Sequence, residues 1–207
     1  MTSLLLRGAP DLQVVALDPN AELLSALNDE GRCERVVGTA AALHRDRPPF
    51  DTVVSNLVLP FCPDAASDLA QLRQLTAGGG TLVATTLGAA ADVTPFHRFW
   101  SATQSLIPQA WEPTCYPHHR FGEVDSFVGE ITSGGWTVRS VHAVRAVRRI
   151  SAPNAWTWLS SVLPVGEGDG YRAMLDHERE AVRAEFLGRW SAEFRWVSAG
   201  WTVVATS

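Results

Sequence analysis

The sequence predicts an α/β fold built on a mostly parallel sheet, and three observations carry that expectation. Short apolar runs alternate with segments whose apolar residues recur at helical spacing. The run Phe50–Leu57 (FDTVVSNL) is continuously apolar in its middle, as strands buried on both faces are. The links between elements are short, so successive strands return by right-handed crossovers. With 207 residues, 46% of them hydrophobic, the chain can bury one core without disulfides or metals.

Thr2–Gly8 reads as the last turns of a helix, with Gly8 at the C′ stop and Pro10 barring continuation. Leu12–Leu17 is the first strand, and Asn20–Asn28 is a helix with Ala21, Leu23, Leu24 and Leu27 on its apolar side. Glu34–Gly38 and Phe50–Leu57 are the second and third strands. Asp64–Leu75 has helical spacing at Ala65, Leu69, Leu72 and Leu75. Gly78–Gly80 makes a tight turn into a fourth strand, Thr81–Leu87. Beyond Gly88 the texture changes: Val93–Ile107 is a helix carrying Phe96, Phe99 and Trp100, and a loop with Pro, Trp and His runs on to Arg120. Glu123–Thr132 is helical and is stopped by Gly134 and Gly135, and Trp136–Val147 alternates as a strand. Pro153–Leu163 is a helix and Pro164–Gly170 a glycine-rich loop. Tyr171–Trp190 is a long amphipathic helix with Leu175, Val182, Phe186 and Leu187 inward and Glu185 and Arg189 paired outside. Arg195–Ala205 closes the chain as an antiparallel strand. No internal repeat or low-complexity linker interrupts the sequence, so residues 1–207 are expected to form a single domain.

Composition narrows the chemistry. Every basic residue is Arg, so Schiff-base, pyridoxal-lysine and P-loop-lysine chemistry is excluded. The net charge of −5 argues against nucleic acid as a partner. The arginines of Val138–Arg149 alternate with apolar residues, as on a solvated strand face. No apolar run reaches the length of a membrane span, and Leu4–Leu6 is too short for a signal-peptide core, so a cytoplasmic protein is expected. Cys33, Cys62 and Cys115 have no metal-like spacing and read as reduced thiols. His44, His142 and His177 are scattered, and no metal site is expected.

The organising stretch is Leu12–Leu27, where strand, acidic turn and helix meet at Asp18. In open α/β sheets ligands bind at the carboxyl ends of the strands, and an acidic residue there takes a ribose diol. Pro19 suits the first helical position, so Asp18 also reads as a simple helix N-cap.

Read together, VVALDPNAELLSAL, VVGTAAAL, FDTVVSNLVLPFCPD, LRQLTAGGGTLVATTLG, FGEVDSFVGEITSGGWTVRSV and the final WTVVAT resemble a class I S-adenosylmethionine-dependent methyltransferase of the small-molecule kind. The resemblance runs from Ser3 to Thr206. It implies a three-layer Rossmann-like methyltransferase fold with helical lid insertions at about residues 93–120 and 151–190. It implies that Asp18, with Pro19 beside it, binds the ribose hydroxyls of S-adenosylmethionine. Thr39 and Ala40 would lie beside the adenine. Ser55 and Asn56 would face the methionine portion and the substrate. Trp100, Trp111, Trp156 and Trp158 would form the substrate lid.

The sequence departs from the family pattern. No GxGxG follows a strand near the start of the sequence, since the GEGDG of Gly166–Gly170 lies in the late glycine-rich loop, and Gly78–Gly80 precedes a strand and so cannot replace that turn. Thr39 stands where an acidic partner of the adenine is common, and Pro60 where an aromatic residue or His is common. The family's first strand and its glycine-rich turn do not appear in the sequence, and that strand lies mid-sheet, between the strands ending at Asp18 and Asn56. Unpaired edge groups there cost about 1–3 kcal/mol each if buried and unmet. Direct closure of the two strands, a strand from a second copy or a partner chain, and a longer natural protein are the three ways of meeting them. Closure or strand sharing is the expectation.

Methyl transfer to a protonated hydroxyl or amine needs a base, and Tyr116, His118 and His119 beside Arg120 are the candidate cluster. His97 reads as a core or lid residue. The expected activity is transfer of a methyl group to a small, apolar metabolite. The alternatives are a cofactor-independent cyclisation or rearrangement on the same fold, and a non-catalytic partner of a full-length methyltransferase.

Overall fold

The structure is a computed structural model that describes residues 2–9, 11–27, 31–44, 46–88, 99, 103, 105–106, 120–161, 171, 173–190 and 193–207. Two compact units divide the chain: residues 1–86, 125–142 and 202–207 in the first, residues 87–124 and 143–201 in the second.

In the first unit, helix α1 (Thr2–Gly8) leads to β1 (Val14–Asp18), α2 (Ala21–Ser25) and β2 (Cys33–Val37). A 3-10 turn (Ala40–Ala42) precedes β3 (Phe50–Asn56), a second 3-10 turn (Leu59–Phe61) and α3 (Ala65–Gln74). Strand β4 (Thr76–Leu87) follows, and α4 (Val124–Ser133) precedes β5 (Thr137–Ser151). Asp64 caps α3, its Oδ1 accepting from the Ser67 amide at 3.0 Å.

Two sheets form: β1 pairs with β2 in parallel, and a four-stranded sheet has the order β3-β4-β6-β5, where β6 is Glu193–Thr206. Strands β3 and β4 are parallel, with Asn56 opposite Thr85. The Arg139 Nε donates to the Thr206 hydroxyl at 3.0 Å and Arg149 lies 3.9 Å from Glu193, so β6 runs against β5. The expected parallel sheet with an antiparallel closing strand is present, split into two.

The split corrects one expectation. Strands β1 and β3 do not close on each other: each has its parallel partner on one side and an open edge on the other among the described residues. Val54, in the middle of β3, is therefore 39% exposed rather than buried on both faces. A strand is shielded on both sides only when both neighbours in the sheet are present. The glycine run is corrected as well. Gly78–Gly80 lies inside β4, where four residues stand against one of β3 between the Phe50–Thr76 and Thr52–Thr81 pairs, three of them extra. A Cβ on Gly80 would sit 2.4 Å from Thr76 Cγ2, so only glycine fits there. Ser207 ties the chain end to this bulge, its hydroxyl donating to the Ala77 carbonyl at 2.7 Å.

The core of this unit forms where α3 and α4 bury their apolar stripes. Leu69 on α3 and Phe127 and Ile131 on α4 are all fully buried, and burial of each stabilises the fold by about 1.5–3 kcal/mol. Gly134 ends α4 so close to Leu69 that an added Cβ would lie 2.5 Å from the leucine Cβ. The next buried residue but one, Trp136, donates its indole N–H to the Leu69 carbonyl at 2.9 Å.

The second unit is built on aromatic side chains. Helices α5 (Ala152–Ser161) and α6 (Asp176–Arg189) pack with β6 around Phe99, Trp156, Leu159, Tyr171, Val182, Phe186 and Phe194. Phe186 holds the centre, with ring centroids 5.7 Å from Phe99, 5.6 Å from Trp156 and 5.4 Å from Phe194. On its outer face α6 pairs Arg179 with Asp176 and Arg183 with Glu180. Helix α6 begins at Asp176 rather than Tyr171, because the Glu178 carboxylate accepts from the Leu175 amide at 2.7 Å and caps the helix there. Leu175 is accordingly exposed instead of inward. The expected helix Val93–Ile107 falls mostly outside the described residues, though the Thr103 side-chain hydroxyl donates to the Phe99 carbonyl four residues earlier at 2.9 Å. The loop Pro164–Gly170 lies outside them entirely.

Candidate functional site

The first unit brings two sets of expected site residues to strand ends. At the end of β1 the Asp18 Oδ1 accepts from the Asn20 amide at 2.8 Å, an Asx turn that carries the chain past Pro19 into α2. The helix cap is Asn20, whose side-chain oxygen accepts from Glu22 and Leu23 at 2.9 and 3.2 Å. The N-cap expectation for Asp18 is therefore corrected, and Pro19 precedes the cap rather than opening the helix. A proline between strand and cap fixes the turn that Asn20 then closes. Asp18 is half-buried, and its second oxygen has no partner among the described residues.

Strand β2 ends beside it. The Gly38 N–H donates to the Asp18 carbonyl at 3.0 Å, and Gly38 sits at φ +144° with its would-be Cβ only 2.7 Å from Ala42 Cβ. That close approach folds the 3-10 turn back, leaving Thr39 exposed and Ala40 buried next to the end of β1. Asp18, Thr39 and Ala40 thus come together through one backbone bond and one glycine.

At the end of β3, Ser55 is buried and Asn56 half-buried. The Thr85 hydroxyl, directly across the ladder, donates to Asn56 Oδ1 at 2.8 Å. Leu57 then takes a left-handed backbone at φ +60°, held by its N–H donating to the Thr85 carbonyl at 3.1 Å. A non-glycine residue there costs about 1–3 kcal/mol and persists only where its surroundings over-determine it. Thr85, Leu57 and Gly38 are site-shaping residues that the sequence did not single out. A left-handed Leu leaves no mark in composition, and a Thr late in a strand reads as ordinary strand.

Tyr116, His118, His119, Trp100 and Trp111 lie outside the described residues, as does His97. Trp156 is only 8% exposed and packs edge-on to Tyr171 at 5.9 Å within the aromatic core of the second unit, whereas Trp158 is 37% exposed. Burial raises the Tyr171 phenol above its ordinary value of 10.0; Arg179 and Arg183 oppose the shift and Glu180 adds to it. No helix among the described residues is long and apolar enough to cross a membrane.

The groups at the ends of β1 and β2 have the chemistry to meet a nucleoside: a carboxylate oxygen of Asp18 and a Thr39 hydroxyl with no partner among the described residues, and a small buried residue, Ala40. Nothing among the described residues supplies a glycine-rich turn for the methionine half.

Residues 1–84 match the family described as Methyltransferase domain. No curated protein matches the chain by sequence. A solved structure of a Bacillus halodurans C-125 protein with a provisional methyltransferase name is similar in fold, at 13% identity and a TM-score of 0.60. The match covers 99% of this chain and 87% of that one. The 4+2 cyclase SpnF is similar at 12% identity and a TM-score of 0.56, over 98% of this chain and 70% of that one. A chain from the complex of the Haloferax volcanii Trm112 methyltransferase activator with a methyltransferase matches at 13% identity and a TM-score of 0.53. Here 99% of this chain and 76% of that one are covered. At such identities the likeness is one of fold. Residues 1–84 match the methyltransferase domain family, and over nearly its whole length the chain has the Rossmann-like α/β fold of these solved structures.

Proposed function

We propose that the chain binds S-adenosylmethionine at the ends of β1 and β3 and transfers its methyl group to a small, apolar metabolite. The observation that carries this reading is the Asp18 carboxylate at the end of β1, whose second oxygen has no partner among the described residues and whose carbonyl is bonded to the Gly38 N–H that leads into Thr39 and Ala40. The bound donor would supply an electrophilic methyl on a sulfonium. The chain's own part is to grip a ribose hydroxyl at Asp18, to flank the adenine with Thr39 and Ala40, and to orient the rest of the ligand from Ser55 and Asn56. Alignment and exclusion of water do most of the work in such a displacement. Tyr116, His118 and His119 are the proposed proton acceptors where the methyl acceptor is a hydroxyl or amine. Trp100, Trp111 and Trp156 are the proposed apolar contacts to the substrate. Calorimetric titration with S-adenosylmethionine tests the reading: micromolar binding is expected, and no heat at millimolar donor sinks it.

A second reading has its own support. A fold shared with a cyclase is compatible with chemistry that uses no donor. Turnover of a candidate substrate without donor, unchanged by added S-adenosylmethionine, would favour this alternative. The open edges of β1 and β3 support a strand added by a second copy or by a methyltransferase partner. Native mass spectrometry, with and without such a partner, should then detect a complex, and a persistent monomer rejects strand sharing.

A further inference from the structure

We infer that Thr85 is a positioning residue that commits the end of β3 to receive a hydrogen-bond acceptor, an oxygen of the ligand, on the Asn56 amide nitrogen. The inference deepens the proposed function and rests on the same site. Thr85 holds the strand end from two directions: its carbonyl accepts from the Leu57 amide at 3.1 Å, and its hydroxyl donates to Asn56 Oδ1 at 2.8 Å.

An Asn side chain offers an acceptor at one end and two donors at the other, and rotating the amide by half a turn exchanges them. Of the two settings, the one present gives the Thr85 hydroxyl proton an acceptor. The reverse would leave that proton without one, since the hydroxyl has no other partner among the described residues. The bond therefore selects the setting, and the amide nitrogen becomes the end of a half-buried side chain that has no partner among the described residues. The left-handed Leu57 turns the main chain away directly after Asn56, so the next residue does not run on along the strand beyond the amide. A donor pair held in this way matches a carboxylate, carbonyl or ether oxygen and disfavours a ligand N–H.

Thr85→Val keeps the shape and removes the hydroxyl, and Thr85→Ser restores it. The first readout needs no ligand. By NMR the Asn56 side-chain NH2 should be ordered in wild type and in Thr85→Ser and mobile in Thr85→Val, with thermal melting within a few degrees across the three. Equal order in wild type and Thr85→Val overturns the inference. The second readout is calorimetric, with S-adenosylhomocysteine and methylthioadenosine as probes. Loss of one such hydrogen bond should weaken binding about tenfold in Thr85→Val, with Thr85→Ser close to wild type. A loss confined to S-adenosylhomocysteine assigns the oxygen to its amino-acid carboxylate, and a loss with both probes assigns it to the nucleoside. Binding of both probes unchanged in Thr85→Val overturns the ligand role. If wild type binds neither probe, the nucleoside reading itself fails, and the NMR comparison alone decides whether Thr85 sets Asn56.

Discussion

The Gly38 N–H donates to the Asp18 carbonyl at 3.0 Å, locking the ends of β1 and β2 together where the candidate site begins. That bond lets two local features cooperate. The Asx turn aims the Asp18 carboxylate, and the glycine lets the next turn fold back against it.

Gly38→Ala should be costly for its size. The residue sits at φ +144°, and a Cβ there would stand 2.7 Å from Ala42 Cβ. A loss of about 1–3 kcal/mol is expected from the strained backbone. The urea midpoint should fall accordingly, and nucleoside binding should weaken with it. An unchanged midpoint would mean the turn rebuilds around the methyl group.

Asp18→Asn and Asp18→Ala separate the two jobs of this side chain. Asparagine keeps an oxygen for the Asn20 amide, so its stability should stay within about 0.5 kcal/mol of wild type. Alanine removes the turn and should cost about 0.5–1.5 kcal/mol. Both lose the charged acceptor, so affinity for S-adenosylhomocysteine should drop about 10–100-fold in each. Titrations in which both variants bind like wild type would remove Asp18 from the site.

Trp136→Phe tests the docking of α3. The indole N–H to Leu69 carbonyl bond at 2.9 Å lies in a core where Trp136 is 2% exposed. Its loss, with the volume left behind, should destabilise by about 1–3 kcal/mol. Chemical denaturation with fluorescence from the other seven tryptophans, of eight in the chain, would measure it.

Tyr171 gives a pH-dependent term. Its folded-state value is raised above 10.0, chiefly by burial, so the folded protein holds the phenolic proton more tightly than the unfolded chain does. The contribution is complete below pH 10 and is lost as pH rises through the raised value. Melting temperatures should therefore fall more steeply above pH 10 in wild type than in Tyr171→Phe, which keeps the ring against Trp156.

Much of the fold was legible because its signals are local. The helical spacing of Ala65, Leu69, Leu72 and Leu75 announced α3, and Gly134 and Gly135 announced the end of α4. The period of Val182 and Phe186 gave the buried stripe of α6. Strand ends shifted by up to five residues: the apolar run Leu12–Leu17 became Val14–Asp18, and Thr81–Leu87 became Thr76–Leu87. The candidate site was partly legible for the same reason: an acidic residue closing an apolar run can be seen in the text. Its supporting bonds could not be, because Thr85 lies 29 positions from Asn56 and meets it only through the β3–β4 register.

The sequence by itself determined the alternation of strands and helices, the carboxylate at the end of β1 and the all-arginine chemistry, since propensity, periodicity and composition act over a few residues. Only the tertiary structure decided that β1 and β3 stay apart, that Gly38 binds the Asp18 carbonyl, that Trp156 is buried in an aromatic core and that Thr85 fixes Asn56. Those outcomes depend on which distant segments pair and pack, and hydrogen bonds between strands are set by register rather than by the residues on either side.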